Sequence, residues 1–318
     1  MTVKIAVTGA NGYIGSSLVR HCISHGMEVV AFTRILNTAG TSWSAADVEY
    51  VQIADGTPTP AMLSGCDAVI HLAGPAHRFR SSADSGELQV QGNHTLAINT
   101  AEAAIKAEVT RFIQVSTVGV HGNWSDSAIT ESAPLLASSP YALSKLAAEQ
   151  ALELLCNRAG IELCVVRPPL VFGPACPGNF SRLLRLVQSG MPLPLASVSA
   201  RRSFIYVENL AEFLRICATR PQPSPVMKFV IGDGSDWLIP DLVRSVAREL
   251  GITARLLAFP PAALRIAAAL SGRRKEVESM TRSLLVDWSH ARLDYEWLPQ
   301  IQPEAAFSET MRSYREQQ

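Results

Sequence analysis

The sequence predicts a doubly wound α/β fold, and three observations carry that prediction. Short runs that are apolar throughout recur in the first half of the chain, the pattern of parallel strands buried on both faces. Helix-patterned segments alternate with them, which implies crossover connections covering the sheet on both sides. A glycine-rich turn, Gly9-Ala10-Asn11-Gly12-Tyr13-Ile14-Gly15, joins the first strand to the first helix.

In order, Lys4 to Thr8 reads as a buried strand and Tyr13 to His25 as a helix, with Gly26 suited to its C-terminal cap. Glu28–Thr33, Val48–Ile53 and Cys66–Leu72 read as further strands. A long helix is expected over much of Val90 to Lys106, then a strand over Arg111–Ser116. Ala142 to Leu155 is rich in helix-favouring Ala, Leu, Glu and Lys, with Ser138 or Ser139 as its cap and Pro140 in its first turn. Glu162–Arg167 is the next strand. Beyond Gly173-Pro174 the pattern changes to helix over Phe180–Gln188, an extended Met191–Leu195, strands at Phe204–Val207 and Lys228–Ile231 and a helix over Glu208–Cys217. Helices follow at Leu238–Leu250, Pro261–Ser271 and Val277–Leu285. We expect a dinucleotide-binding domain over 1–175 and a smaller, mostly helical substrate-binding lobe over 176–318, with 204–232 returning to the first domain's sheet.

The 318 residues are 47% hydrophobic and 18% charged, an ordinary globular composition. Lys plus Arg equals Asp plus Glu at 28 each, so no net field favours nucleic acid or an anionic membrane. The six cysteines are scattered without a Cys-x-x-Cys pair, indicating neither a metal site nor a disulfide framework. The N-terminus lacks the apolar length of a signal peptide, and Ala262–Leu270 is too short to span a bilayer, so a cytoplasmic protein with no integral membrane association is expected. The apolar helix followed by Gly272-Arg273-Arg274-Lys275 reads either as a packed helix with a solvated basic end or as a surface for a membrane or partner.

The glycine turn frees amides at a helix N-terminus for a pyrophosphate. The second strand ends Phe32-Thr33-Arg34 without the carboxylate that pairs with an NAD ribose, which favours NADP with Arg34 on its phosphate. The other reading of Arg34 is stacking on adenine or facing solvent. Asp55 is a candidate acceptor for the adenine amino group. Tyr141 and Lys145 are i and i+4 on one helix face, and an ammonium beside a phenol is expected to lower the phenol's pKa towards proton-transfer values.

Together these motifs resemble the extended short-chain dehydrogenases/reductases that act on nucleotide sugars, the NAD-dependent epimerase/dehydratase family. The resemblance is carried by the Thr8–Gly15 turn, His71-Leu72-Ala73-Gly74, Ser116-Thr117, Tyr141-x-x-x-Lys145, Arg167-Pro168 before Phe172-Gly173-Pro174, Asn179, Arg202–Val207 and Val286-Asp287-Trp288. It implies a Rossmann-type sheet, NADP(H) or NAD(H) as cofactor, and Thr117, Tyr141 and Lys145 as catalytic residues. It places Gly9, Asn11, Gly12, Tyr13, Ile14, Gly15, Thr33, Arg34, Asp55, Leu72, Ala73, Gly74, Ser116, Tyr141, Lys145 and Pro168 around the cofactor.

By the same resemblance Thr117, Asn179, Leu193 and Arg202 contact a UDP-sugar, Arg202 gripping the diphosphate, and the chain forms a homodimer. His121 stands where the family carries an aromatic residue. Val118-Gly119 replace the Asp-Glu pair of sugar-nucleotide dehydratases, so no general acid for dehydration is in place. The chain looks most like the branch serving bacterial surface polysaccharide (O-antigen). That branch implies a 4-keto reductase of a UDP-4-keto-6-deoxy-N-acetylhexosamine, with a UDP-hexose 4-epimerase as the alternative. A non-catalytic dinucleotide-binding protein is the remote alternative.

Overall fold

A computed structural model describes residues 2–35, 48–74, 85–270 and 274–317. Pro75, which follows the fourth strand motif, and Gly272 and Arg273 of the basic run lie outside the described residues.

Seven parallel strands form the main sheet: β1 (Lys4–Thr8), β2 (Glu28–Thr33), β3 (Val48–Gln52), β4 (Ala68–His71), β5 (Arg111–Val115), β6 (Glu162–Arg167) and β9 (Val226–Val230). Their order is β3-β2-β1-β4-β5-β6-β9. The chain winds outward from β1 through β2 to β3, then returns to β4 on the other side of β1. That reversal opens a crevice at the carboxyl ends of β1 and β4, where α/β sheets bind ligands.

Alternation along each strand divides the core. Ile5 and Val7 face one apolar cluster with Leu18 of α1 (Tyr13–Ser24) and Phe213 of α6 (Val207–Thr219). Ala6 and Phe112 face the other, with Ala97 and Ala101 of α3 (Ser85–Lys106) and Leu152 of α4 (Pro140–Ala159). Strands buried on both faces explain why they read as unbroken apolar runs.

A three-stranded sheet builds the second lobe in the order β10 (Asp236–Leu238), β8 (Arg201–Tyr206), β7 (Leu170–Phe172). Of the stretch 204–232, then, β9 lies in the main sheet and α6 packs on α1, whereas Phe204–Tyr206 pair with β7 instead, the preceding Arg201–Ser203 pairing with β10. Phe204 and Tyr206 are held there by an aromatic cluster with Phe172 and Phe180. The lobe's apolar centre adds Leu242 and Val246 of α7 (Ile239–Glu249) and Phe307 and Met311 of α11 (Pro303–Glu316).

The helix expected over 277–285 stops early: α9 spans Arg274–Thr281, and the chain beyond it is extended. Leu284 exchanges backbone bonds with Arg201 and Ser203, and Ile129 bonds to Leu285 and Asp287. Burial of Leu284 and Val286 between these segments overrides local helix preference. Among the described residues no helix is long and apolar enough to cross a membrane.

Candidate active site

A cleft of about 450 Å³ lies over the crevice between the two lobes. Its floor is the glycine turn. Gly9 has φ +70°, and a Cβ there would lie 2.9 Å from the Ala73 amide nitrogen. A Cβ on Gly15 would lie 2.2 Å from the Gly9 carbonyl oxygen, and one on Gly12 3.0 Å from the same atom. Only glycines let this turn close. Gly12 caps α1 without a side-chain hydrogen bond and no acidic residue stands in the first turn, so the helix's first amides and its positive end remain available for an anion.

At the edge of that floor, Asn11 Nδ2 and Thr33 Oγ1 both donate to the Ile35 carbonyl, at 2.9 and 3.0 Å. Gln52 Nε2 donates to the Arg34 carbonyl at 3.1 Å. Asn11 and Thr33 thus shape the backbone that presents Arg34, and Arg34 itself is exposed. Asp55 is exposed and accepts from its own turn, the Thr57 amide, at 3.1 Å. Ala73 uses its amide on Thr8 Oγ1 at 3.3 Å. Asn11, Thr33, Arg34, Asp55 and Ala73 stand outside the cleft lining, while Gly9, Gly12, Tyr13, Ile14, Gly15, Leu72, Gly74, Ser116 and Pro168 belong to it.

Thr117, Tyr141 and Lys145 meet in the same cleft. Thr117 follows β5 in extended conformation, and its Oγ1 accepts from the Gly119 amide at 3.1 Å, which starts the 3-10 turn Val118–His121. Ser139 caps α4 by accepting from the Ala142 amide at 3.1 Å, with Pro140 at the start and Gly160 (φ +72°) closing the end. This capping fixes where Tyr141 and Lys145 emerge. Lys145 is buried, and its Nζ donates to the Val115 carbonyl at 3.0 Å.

The direction of the tyrosine shift is a correction to the sequence expectation. Burial pushes the Tyr141 phenol up to about 12, and burial pushes the Lys145 amine down to about 8, offset by Glu149 one turn along α4. Taking both groups out of water disfavours charge on each. Tyr141 is therefore a proton-loaded phenol at neutral pH.

At the other end, Asn179 begins α5 (Asn179–Gln188), where its Oδ1 accepts from Arg182 at 3.4 Å. Arg202 on β8 donates through Nη1 to the Asn123 and Arg282 carbonyls, both at 3.3 Å, and burial pushes its pKa down to about 10. Strand alternation leaves neighbouring Arg201 exposed and outside the lining. Leu193 is not brought to the cleft. Its side chain joins the second lobe's apolar cluster, and its backbone pairs with Arg255 and Leu257. An apolar residue in an extended segment there gains more by burial among Phe180 and Leu184 than at a polar mouth.

Asn93, on α3, is a lining residue that sequence reasoning passed over. Its Nδ2 donates to Ser144 Oγ at 3.1 Å, and Ser144 Oγ donates to the Tyr141 carbonyl at 2.8 Å. A Cβ on Gly74 would lie 2.1 Å from Asn93 Oδ1 and 3.8 Å from Lys145 Nζ, so Asn93 fills the space that Gly74 leaves beside the lysine. The only sequence signal was the glycine Gly74 just after a strand end; nothing local marks a polar residue in the middle of a helix.

Comparison with known proteins bears on this arrangement. Residues 5–232 match the NAD dependent epimerase/dehydratase family. The chain belongs to that family. A UDP-glucose 4-epimerase from Vibrio cholerae is 28% identical over 324 residues, covering 99% of this chain and 96% of that protein. A UDP-glucuronic acid 4-epimerase from Bacillus cereus, solved in complex with NAD, superposes with TM-score 0.80 at 18% identity, covering 99% of this chain and 97% of that one. A UDP-N-acetylglucosamine 4-epimerase from Methanobrevibacter ruminantium, in complex with UDP-N-acetylmuramic acid, superposes with TM-score 0.81 at 20% identity, covering the whole of both chains.

The family's nicotinamide dinucleotide fits the residues present. The glycine cradle lines the cleft where a pyrophosphate would lie, and Ser116 Oγ, at the end of β5 in the cleft, is buried without a hydrogen-bond partner among the described residues. In this family member the two positions after Thr117 are Val118, which is buried, and Gly119, whose amide is spent on Thr117. Neither supplies a carboxyl group.

Proposed function

We propose that the chain catalyses NAD(P)-dependent chemistry at C4 of a UDP-hexose, as the reductase of a UDP-4-keto-6-deoxy-N-acetylhexosamine in surface polysaccharide (O-antigen) biosynthesis. The observation that carries this reading is the convergence of Thr117, Tyr141 and Lys145 in one cleft, between the glycine cradle and the pair Asn179 and Arg202.

When bound, the nicotinamide supplies the hydride that adds to C4. Gly9, Gly12 and the α1 amides hold the dinucleotide's phosphates, and Ser116 and Pro168 border its nicotinamide end. Arg34, in place of a carboxylate at the end of β2, takes the 2′-phosphate of NADPH. Tyr141 donates its proton to the C4 oxygen, Thr117 hydrogen-bonds the same oxygen, and Lys145 stabilises the phenolate left behind. A phenol held at about 12 arrives protonated, the form that reduction of a ketone requires. Arg202 grips the UDP diphosphate, while Val118 and Gly119 leave no acid for 4,6-dehydration.

The second reading, a UDP-glucose or UDP-N-acetylglucosamine 4-epimerase, is favoured by the Vibrio cholerae relative, which matches over nearly its full length. The two separate on stoichiometry. Purified protein is expected to consume one NADPH or NADH per UDP-4-keto-6-deoxy-N-acetylhexosamine. Interconversion of UDP-glucose with UDP-galactose, or of their N-acetylated counterparts, without net cofactor consumption overturns the reductase reading in favour of the epimerase.

A further inference from the structure

His121 is buried, 3% exposed, four residues after Thr117. Its Nδ1 lies 3.0 Å from the Ala133 carbonyl oxygen and 3.2 Å from that of Pro134. Its Nε2 lies 3.0 Å from Arg167 Nη1. Carbonyls only accept and a guanidinium only donates, so the partners fix one tautomer: a neutral ring with hydrogen on Nδ1 and a lone pair on Nε2. The remaining edge of Arg167 is taken by Glu149, with Nε 3.2 Å from each carboxylate oxygen and Nη2 2.6 Å from Oε2. Both members of that ion pair are 2% exposed.

This chain of bonds joins four segments that carry the proposed site. His121 ends the turn begun by Thr117, and Glu149 stands one turn beyond Lys145 and two beyond Tyr141 on α4. Arg167 ends β6 immediately before Pro168, and Ala133 and Pro134 belong to the loop packed over the turn. The charged groups facing the ring are few. Arg167 comes from β6, Glu149 from α4, and Glu131 from the loop. The Glu131 carbonyl accepts from Arg167 Nη1 at 3.5 Å, and its carboxylate accepts from the Val230 amide at 2.8 Å and stands 4.0 Å from His290. Both oxygens of Glu149 accept from Arg167, and the imidazole nitrogens bond to Arg167 and to the Ala133 and Pro134 carbonyls instead.

We propose that His121 is a positioning residue: as a neutral acceptor for Arg167 it holds the Thr117 turn in register with Tyr141, and its protonation releases that turn. The inference rests on the C4 chemistry assigned above. A proton on Nε2 replaces the 3.0 Å acceptor of Arg167 Nη1 by an N–H facing it, and leaves that nitrogen the longer 3.5 Å contact to the Glu131 carbonyl while Glu149 holds the guanidinium in place. Burial, and the guanidinium beside it, keep the imidazole below the usual histidine range, so the neutral form prevails at pH 7.

Two measurements test this, one of them independent of turnover. Imidazole nitrogen NMR of the wild-type protein is expected to show a neutral Nδ1–H ring at pH 7.5 that His121→Gln lacks. On acidification below about pH 6.5 its titration should be accompanied by movement of the Thr117 amide and methyl resonances. An Nε2–H tautomer, or Thr117 resonances that stay still while the ring titrates, overturns the proposal even if the substrate assignment is wrong.

The second measurement is kinetic. Gln can accept from Arg167 and donate to a carbonyl but does not titrate. His121→Gln should keep kcat within about threefold at pH 7.5 and lose the wild-type decline below about pH 6.5. His121→Phe should lower kcat about tenfold or more across the pH range with both KM values within about twofold. An acid limb unchanged in the Gln variant, or full kcat in the Phe variant, also overturns it. Failure of every UDP-hexose substrate with both cofactors, alongside the expected NMR behaviour, overturns the reaction assignment and leaves the positioning role standing.

Discussion

Lys145 Nζ donates to the backbone carbonyl of Val115 across 3.0 Å, deep inside the fold. The ammonium that faces the catalytic cleft from α4 is therefore also the tie between α4 and the carboxyl end of β5, two residues before Thr117. One buried cation sets both the electrostatics beside Tyr141 and the distance between the helix and the strand that carry the site.

Burial of that cation has a measurable cost. The folded amine titrates near 8 against 10.5 in the unfolded chain, so folding expels a proton between those pH values. The wild-type protein thus gains stability as pH rises through this window, and at pH 7 the charge costs about 3 kcal/mol. Lys145→Met is expected to lose at least about 100-fold in turnover, yet to unfold at a higher temperature at pH 7, with the advantage shrinking towards pH 10. Equal or lower stability of the Met variant at pH 7 would show that the Val115 bond outweighs desolvation.

The same titration shapes catalysis. In the proposed reaction the ammonium stabilises the phenolate left when Tyr141 gives up its proton, and it fades as pH rises through about 8. The kcat for ketone reduction should fall on the basic side with an apparent midpoint near 8. Measured profiles that stay level to pH 9.5 contradict this role.

Tyr141→Phe removes the proposed proton donor and keeps the ring. Turnover should fall by about 1,000-fold or more while NADPH affinity, read by fluorescence titration, changes less than about threefold. A variant retaining a tenth of the wild-type rate would remove Tyr141 from the mechanism.

Arg34 tests the cofactor. Arg34→Ala should raise KM for NADPH about tenfold and leave KM for NADH within about twofold, since only the 2′-phosphate loses its partner. Equal effects on both cofactors would mean that Arg34 stacks on adenine or faces solvent.

Gly15→Ala tests the cradle. Its Cβ would stand 2.2 Å from the Gly9 carbonyl, a backbone atom that cannot step aside without moving the turn. Loss of about 2–3 kcal/mol of stability, with cofactor binding weakened at least tenfold, is the expected outcome; a wild-type melting temperature and affinity would show that the turn adapts freely.

The sequence by itself determined the sheet and the family. Strands such as Ile5–Val7 and Leu163–Val166 must be apolar on every residue when both faces are covered, and the glycine turn is dictated by backbone contacts that admit no Cβ. The Tyr141 and Lys145 spacing and the Ser139 cap are likewise local. Only the tertiary structure decided what distant segments do to one another. Desolvation turned the expected fall in the Tyr141 pKa into a rise. Contacts with Arg201, Ser203 and Ile129 stopped α9 at Thr281, and the second lobe's apolar cluster drew β8 away from the main sheet and the Leu193 side chain away from the cleft. Asn93 on Ser144 beside Lys145, and His121 on Arg167, arise from pairs 51 and 46 residues apart. No periodicity or spacing within a local window encodes such pairs, because their energy exists only once the fold has brought them together and excluded water.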